Sequence, residues 1–246
     1  PVLIANSIYR NVYSFFAGPL PGEVAWLAYI IAGATLAALI ATGVLLLIAA
    51  ETWIERRLMG RFQSRLGPNR TGPFGVLQPF ADVLKLLVKE DTIPRVADGL
   101  VFTLAPVVMA APAILVLAVV PFGKNTLLAD LNIGVLYLFA ILAVPTLSVF
   151  MAGWSSANRY AAFGAMRGVA QLVSYEVPQV LSVVGIVLMA GSLSLVDIVE
   201  AQRLPFLLLQ PLAFFIFLVG ASVEMNRSPF DLPEGESEIV AGYHTE

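Results

Sequence analysis

Six carboxylates crowd residues 224–246: Glu224, Asp231, Glu234, Glu236, Glu238 and Glu246. Arg227 and the only histidine, His244, stand among them. Carboxylates this close cannot all ionise at low cost, so neighbours share protons and titrate together. Such a run is either a solvated acidic face or a proton store and relay. This one follows an apolar run directly, and Phe230, Ile239, Val240 and Tyr243 are mixed among the acids. A further carboxylate, Glu176, interrupts the apolar stretch 168–196. It stands roughly 8 residues inside that stretch, about 12 Å deep at 1.5 Å per residue. An ionisable group at depth in a membrane is a functional candidate by default. Its chemistry would be proton uptake and release; the alternative is a hydrogen-bonded residue of helix contact. Ser174 and Tyr175 are its expected partners.

The basic groups have a pattern of their own. Ile54, Leu58, Phe62 and Leu66 recur every four residues, as do Arg57, Arg61 and Arg65. On a helix these two rows run side by side, about 60° apart. Such a helix lies at a membrane surface, with aliphatic chains down and guanidinium groups at headgroup level. Gly67-Pro68 and Gly72-Pro73 then break it. Asp82, Lys85 and Lys89 next share one face of a short helix, with Val83, Leu86 and Leu87 on the rest. Arginines so placed either hold anionic lipid heads and set topology, or wall a tunnel for an amphiphile such as a quinone.

The elements that must position these groups are membrane spans. The chain has 246 residues, 59% hydrophobic and only 13% charged. A soluble domain carries about a quarter charged residues. Runs free of Asp, Glu, Lys and Arg cover 24–50, 99–123, 131–158 and 204–223, and 168–196 is broken only by Glu176. Each reaches the roughly 20 residues that a spanning helix needs. The fold expected is an all-α integral membrane protein, a single membrane domain over 1–246. Its five spans lie near 24–50, 99–122, 133–154, 168–190 and 204–223. Amphipathic surface helices occupy the inside loops, and those loops are 51–98, 155–167 and 224–246. They hold eleven of the fourteen lysines and arginines; only Arg10, Lys124 and Arg203 fall on the other side. The positive-inside rule therefore puts the N-terminus outside. Pro106, Pro112, Pro145 and Pro178 fall inside spans and are tolerated where neighbours satisfy the freed backbone.

Several chemistries are excluded for this chain. It has no cysteine, hence no disulfide, no cysteine-held zinc and no cysteine-held iron–sulfur cluster. No glycine-rich nucleotide fingerprint is present. A net charge of −3 implies no attraction to nucleic acid. Any redox work would rest on carriers elsewhere.

Residues 51–95, 153–179 and 220–246 resemble the first membrane subunit, the H subunit, of proton-pumping NADH:quinone oxidoreductase (respiratory complex I). The motifs that carry the resemblance are Glu55-Arg56-Arg57 through Arg65-Leu-Gly-Pro-Asn69, and Gly72-Pro-Phe-Gly-Val-Leu-Gln-Pro-Phe-Ala-Asp82 through Lys85. Ser174-Tyr175-Glu176-Val177 and the run Glu224 to Glu238 complete them. Val83 departs from the small residue usual in the family.

The resemblance implies a membrane subunit that helps form the quinone chamber and couples quinone reduction to proton translocation. It implies chamber or entrance positions at Glu55, Arg56, Phe62, Arg65, Asp82, Lys85 and Arg227. It implies a proton relay of Glu176, Glu224, Asp231, Glu234, Glu236, Glu238 and Glu246. The chain would be a non-redox part of a translocase, inactive alone. It would bind no cofactor. Quinone would be the substrate, with FMN and iron–sulfur clusters in partner subunits. The partners implied are peripheral-arm subunits at the quinone site, antiporter-like membrane subunits and membrane lipid. The location expected is a bacterial inner membrane. Family members continue beyond the Glu246 position through about three more spans, each of roughly 20 residues, so a longer protein is expected. Two other readings are weighed: the membrane anchor of a hydrogenase, and a stand-alone ion transporter. The donor is open between NADH and a ferredoxin-like protein.

Overall fold

The computed structural model describes residues 7–18, 25–90, 92–123, 129–226, 229–233 and 235–245, with the backbone alone for 7–9, 25, 236 and 237. Arg227, Glu234, Glu246 and Lys124 lie outside the described residues, as does the side chain of Glu236. Every regular element among the described residues is helical. With runs this apolar, the protein is an all-α integral membrane protein. Among the described residues four helices are long and apolar enough to cross a membrane. No more than 17% of their apolar windows is buried within the chain, so most of that surface is left for lipid or other chains.

The chain divides into two compact units, one within Val12–Thr92 and the other built mainly from Ile93–Glu246. Helix α1, Ser7–Ala17, comes first in sequence, and α2, Ala25–Phe62, dominates the earlier unit. α2 does not stop where the apolar run ends at Glu51. It continues through Glu55 and the arginines, because no glycine or proline intervenes until Gly60 and these residues favour helix. The first amphipathic segment is therefore a continuation of the span. The chain then folds back on it. The Arg65 amide donates to the Gly60 carbonyl at 2.8 Å. A Cβ on Gly67 would lie 2.9 Å from the Cα of Arg57, so only glycine allows that approach. A 3-10 turn at Pro73–Gly75 leads into α3, Gln78–Val88. Gly75 holds φ +76°, a left-handed conformation suited to glycine, and its missing Cβ leaves room for the Pro68 carbonyl.

The second unit holds α4 (Gly99–Val116), α5 (Gly134–Leu142), α6 (Val144–Ser155) and α7 (Arg159–Ala190). α8 (Leu195–Ala201), α9 (Phe206–Leu209), α10 (Pro211–Glu224) and α11 (Glu236–Ile239) follow, and a 3-10 turn at Gly242–His244 closes it. Asp98 caps α4 by accepting from the amides of Leu100 and Val101, and Asn158 caps α7 by accepting from Tyr160. Such caps satisfy amides left free at a helix start. Gly191, at φ 70°, ends α7. α5 and α6 form one apolar run broken at Ala143, just before Pro145. The fifth apolar run is likewise divided. Gln210 leaves helical geometry before Pro211, and its side-chain amide donates to the Gly185 carbonyl of α7 at 3.2 Å.

Small residues let these helices approach. Gly153 of α6 sits against Ala161 and Ala165 of α7, where a Cβ would collide. Ser148 of α6 donates to the Ala105 carbonyl of α4 at 2.7 Å, a hydrogen bond that ties the two helices together. Val135, Ile198 and Phe206 form a buried cluster backed by Val183, Ile186 and Val187 of α7. Thus α7, about 48 Å long at 1.5 Å per residue, is the spine against which α6, α10 and the closing 3-10 turn pack.

Candidate functional site

In the earlier unit the structure brings Arg56, Asp82 and Lys85 together. The Arg56 guanidinium pairs with the Asp82 carboxylate, joining the end of α2 to α3. Gln78, one turn before Asp82, donates to the same carboxylate at 2.9 Å and accepts from Thr71 at 2.7 Å. The Gln78 hydrogen bond, then Arg56, and more weakly the Lys85 charge hold the Asp82 carboxyl below the ordinary carboxylate range. Asp82 is therefore an anion at neutral pH. Trp53 adds a second tie by donating to the Phe74 carbonyl at 3.2 Å. Arg57 lies over the Trp53 ring, 5.0 Å from its centre.

Glu55 and Phe62 lie on another face of α2. With Glu51, Ile54, Leu58 and Met59 they line a shallow groove of about 400 Å³. Phe62 is 85% exposed there, so an apolar surface stands open beside a carboxylate. Arg65 lies past the helix end and donates to Gln63 at 2.7 Å. The structure therefore divides the six described residues expected at the chamber into an ionic cluster, an apolar strip and a loop arginine.

In the second unit Glu176 lies on α7, and Glu224 and the segment bearing Asp231 and Glu238 lie beside that helix. Glu176 is half-buried on α7 and accepts a hydrogen bond from Thr146 Oγ1 of α6 at 3.0 Å. The expected partners do other work. Ser174 donates to the Ala170 carbonyl of its own helix, and Tyr175 meets Phe230 edge-on at 5.9 Å. A hydroxyl within reach of its own preceding turn prefers that carbonyl. Glu224, the last residue of α10, lies near enough to feel the Glu176 charge and accepts from the Gln179 side chain. Gln179 is buried, and Gly220 gives it room, since a Cβ there would meet it at 3.2 Å.

Beyond α10 the acidic segment runs back beside α7. Gln171 donates to the Phe230 carbonyl at 2.9 Å, while its own Oε1 is buried without a partner. Pro233 lies over Gly168. Glu238 pairs with Arg167, and Gly242 presses on Gly164. Asp231 is exposed at the turn, its carbonyl accepting from the Gly235 amide at 3.2 Å. α7 thus touches, from its start to its middle, the segment bearing Glu238 and Asp231, then Glu224, with Glu176 on its own surface. Among the described residues no group of His, Asp and Glu is arranged to hold a metal ion.

Sequence reasoning missed Gln78, Thr146, Gln171, Gln179 and Arg167. Only Gln78 left a local signal, its four-residue spacing from Asp82 on one helix. The others reach across helices, and a single sequence carries no pairing of that kind.

Residues 35–246 match the family model described as NADH dehydrogenase. The chain belongs to this family. Three curated members similar to it come from bacteria. The H subunit of the NADH-quinone oxidoreductase of Dehalococcoides mccartyi (strain CBDB1) is 59% identical over 194 residues, covering 79% of this chain and 55% of that protein. The H subunit of the Bacillus cereus (strain B4264) enzyme is 51% identical over 213 residues, covering 86% and 64%. The second of the H subunits of Syntrophobacter fumaroxidans is 50% identical over 218 residues, covering 84% and 66%. The chain therefore spans between about half and two thirds of these family members.

Proposed function

We propose that this chain is the larger part of a membrane subunit of a bacterial proton-translocating NADH:quinone oxidoreductase. In this role it helps form the quinone chamber and passes the effect of quinone reduction to proton movement. The observation that carries the reading is the row of carboxylates along α7. Glu176 sits inside a helix of membrane-spanning length, in electrostatic reach of Glu224, and the acidic segment is tied to the same helix through Gln171 and Arg167. Names of relatives as H subunits of NADH-quinone oxidoreductase support the same reading.

The chemistry follows from the residue types. Reducing a quinone to a quinol takes two electrons and two protons. This chain has no cysteine, so the electrons come from FMN and iron–sulfur clusters in partner subunits. Arg56, Arg65, Lys85 and Arg227 supply donors and positive charge for the polar head. Glu55 and Asp82 balance that charge, and Phe62 offers apolar surface to the tail. Protons taken from the chamber side leave a charge that Glu176, Glu224, Asp231, Glu234, Glu236, Glu238 and Glu246 relay. The protein forms a single membrane domain with five spans in this region. Its N-terminus lies outside, following the positive-inside bias. Antiporter-like membrane subunits receive the relay, and peripheral-arm subunits complete the chamber.

The direct test is to purify the full-length protein from its own membrane without dissociating its complex. An NADH-oxidising flavoprotein should copurify, and NADH oxidation should require added quinone. Hydrogenase activity with no response to quinone would replace this reading by a hydrogenase anchor.

A further inference from the structure

Two clefts in the second unit lie outside the carboxylate row and share a wall at Ser156. The first, about 720 Å³, opens where the chain enters α4 and turns from α6 into α7. Arg95 and Arg159 flank it, and Asn158, Tyr160 and Phe163 complete the walls that matter here. Among the described residues no carboxylate lines it. Asp98 is near in sequence, but its side chain is engaged by the amides of Leu100 and Val101. Among the described residues neither arginine pairs with a carboxylate. The Asp98 amide donates to the Ser155 carbonyl at 3.0 Å, which holds the start of α4 level with the end of α6. The cleft therefore sits at the common end of three apolar helices. Trp154, Tyr160 and Phe163 stand exposed at that level, as aromatic residues do where membrane meets water.

The second cleft, about 370 Å³, runs from Ser156 between α4 and α6. Phe102, Pro106 and Met109 of α4 and Val149 and Ala152 of α6 give it an apolar floor, and Tyr243, His244 and Thr245 from the end of the acidic segment form its other wall. One site thus offers two guanidinium groups at the membrane boundary and, beside them, an apolar slot leading along two spans. A zwitterionic head gains little from two unpaired arginines. A free anion gains nothing from the slot.

We propose that these joined clefts bind one anionic phospholipid, its phosphate between Arg95 and Arg159 and an acyl chain in the slot between α4 and α6. Basic pockets between spans are the usual receptors for such heads. No residue lining the two clefts is among those assigned above to quinone and proton transfer, although the slot borders the acidic segment at Tyr243–Thr245. It therefore stands or falls independently of that assignment.

The test is native mass spectrometry of the full-length protein in its purified complex, titrated with dioleoylphosphatidylglycerol or dioleoylphosphatidylcholine. Tighter retention of the anionic lipid is the expected result. The exposed pair Arg95→Gln/Arg159→Gln should weaken that retention roughly thirty-fold, since each charge near a membrane surface is worth about a factor of five. Arg95→Lys/Arg159→Lys should restore most of it, which a merely misfolded cleft would not. Inorganic phosphate at millimolar concentration should not displace the lipid. Equal retention of both lipids, no loss in the glutamine pair, or displacement by phosphate alone would overturn the proposal. So would cross-links from Tyr160 to another subunit in a complex stripped of lipid, because a protein would then fill the cleft.

Discussion

Gly164→Ala probes the placement of the acidic segment more directly than any change to a carboxylate. Gly164 lies in α7, where a glycine normally weakens a helix by about 0.5–1 kcal/mol relative to alanine. An alanine in open surroundings should therefore stabilise, and Gly43 of α2 is such a place, with nothing within 4 Å of the added carbon. At Gly164 the added carbon would meet backbone. The carbonyl carbon of Gly242 would lie at 2.7 Å and the nitrogen of Tyr243 at 2.8 Å, with the Cα of Gly242 nearer still. A backbone cannot rotate away as a side chain can. Overfilling of this kind costs about 1–3 kcal/mol, so the balance is a local loss of up to about 2 kcal/mol. That loss corresponds to a rise of up to roughly thirty-fold in the opening of the segment. Hydrogen exchange on peptides covering 235–245 of the full-length protein would read it. Faster exchange there in Gly164→Ala, beside an unchanged rate in Gly43→Ala, is the expected pair. Equal protection of the segment in both variants would mean that it does not rest on α7 at Gly164.

The remaining predictions concern the earlier unit. The Asp82 carboxyl is depressed by Gln78 first and Arg56 second. A depressed carboxylate contributes above its ordinary value of about 3.9 and loses the contribution as pH falls through its folded value. The contact of α2 with α3 should thus persist at pH 5 and release only in more acid solution. Gln78→Leu and Arg56→Leu should each raise the Asp82 pKa, and the double variant should raise it further; carboxyl-carbon magnetic resonance measures this, and an unmoved pKa contradicts the contact. Gly75→Ala combines φ +76° with a collision against the Pro68 carbonyl. It should expose the 67–76 turn to limited proteolysis, whereas unchanged cleavage would show that the turn does not close on itself there.

What was legible in the sequence follows the range of the interactions. Apolar length is a local property, so α2, α4 and α7 stood out from composition. The breaks at Ala143 and Gln210 were not located, although Pro145 and Pro211 mark them. A proline fixes its own geometry, but whether a helix bends or ends there depends on contacts with other elements, and at Gln210 the side-chain amide donates to the Gly185 carbonyl of α7. The continuation of α2 to Phe62 was hidden for a different reason. A change from apolar to charged residues marks the edge of a membrane, not the end of a helix. Glu176 was legible as an outlier in an apolar run, yet its partner Thr146 lies in another helix. Ser174 looked closer and is spent on its own backbone.

The central claim is that Glu176 takes part in coupling quinone reduction to proton movement. Its most direct test is the ratio of protons translocated to quinone reduced, measured in vesicles holding the assembled complex with Glu176→Gln. The isosteric amide keeps an acceptor for Thr146 and removes the exchangeable charge. The ratio should fall while the complex remains assembled. An unchanged ratio at an unchanged rate of quinone reduction would contradict the claim.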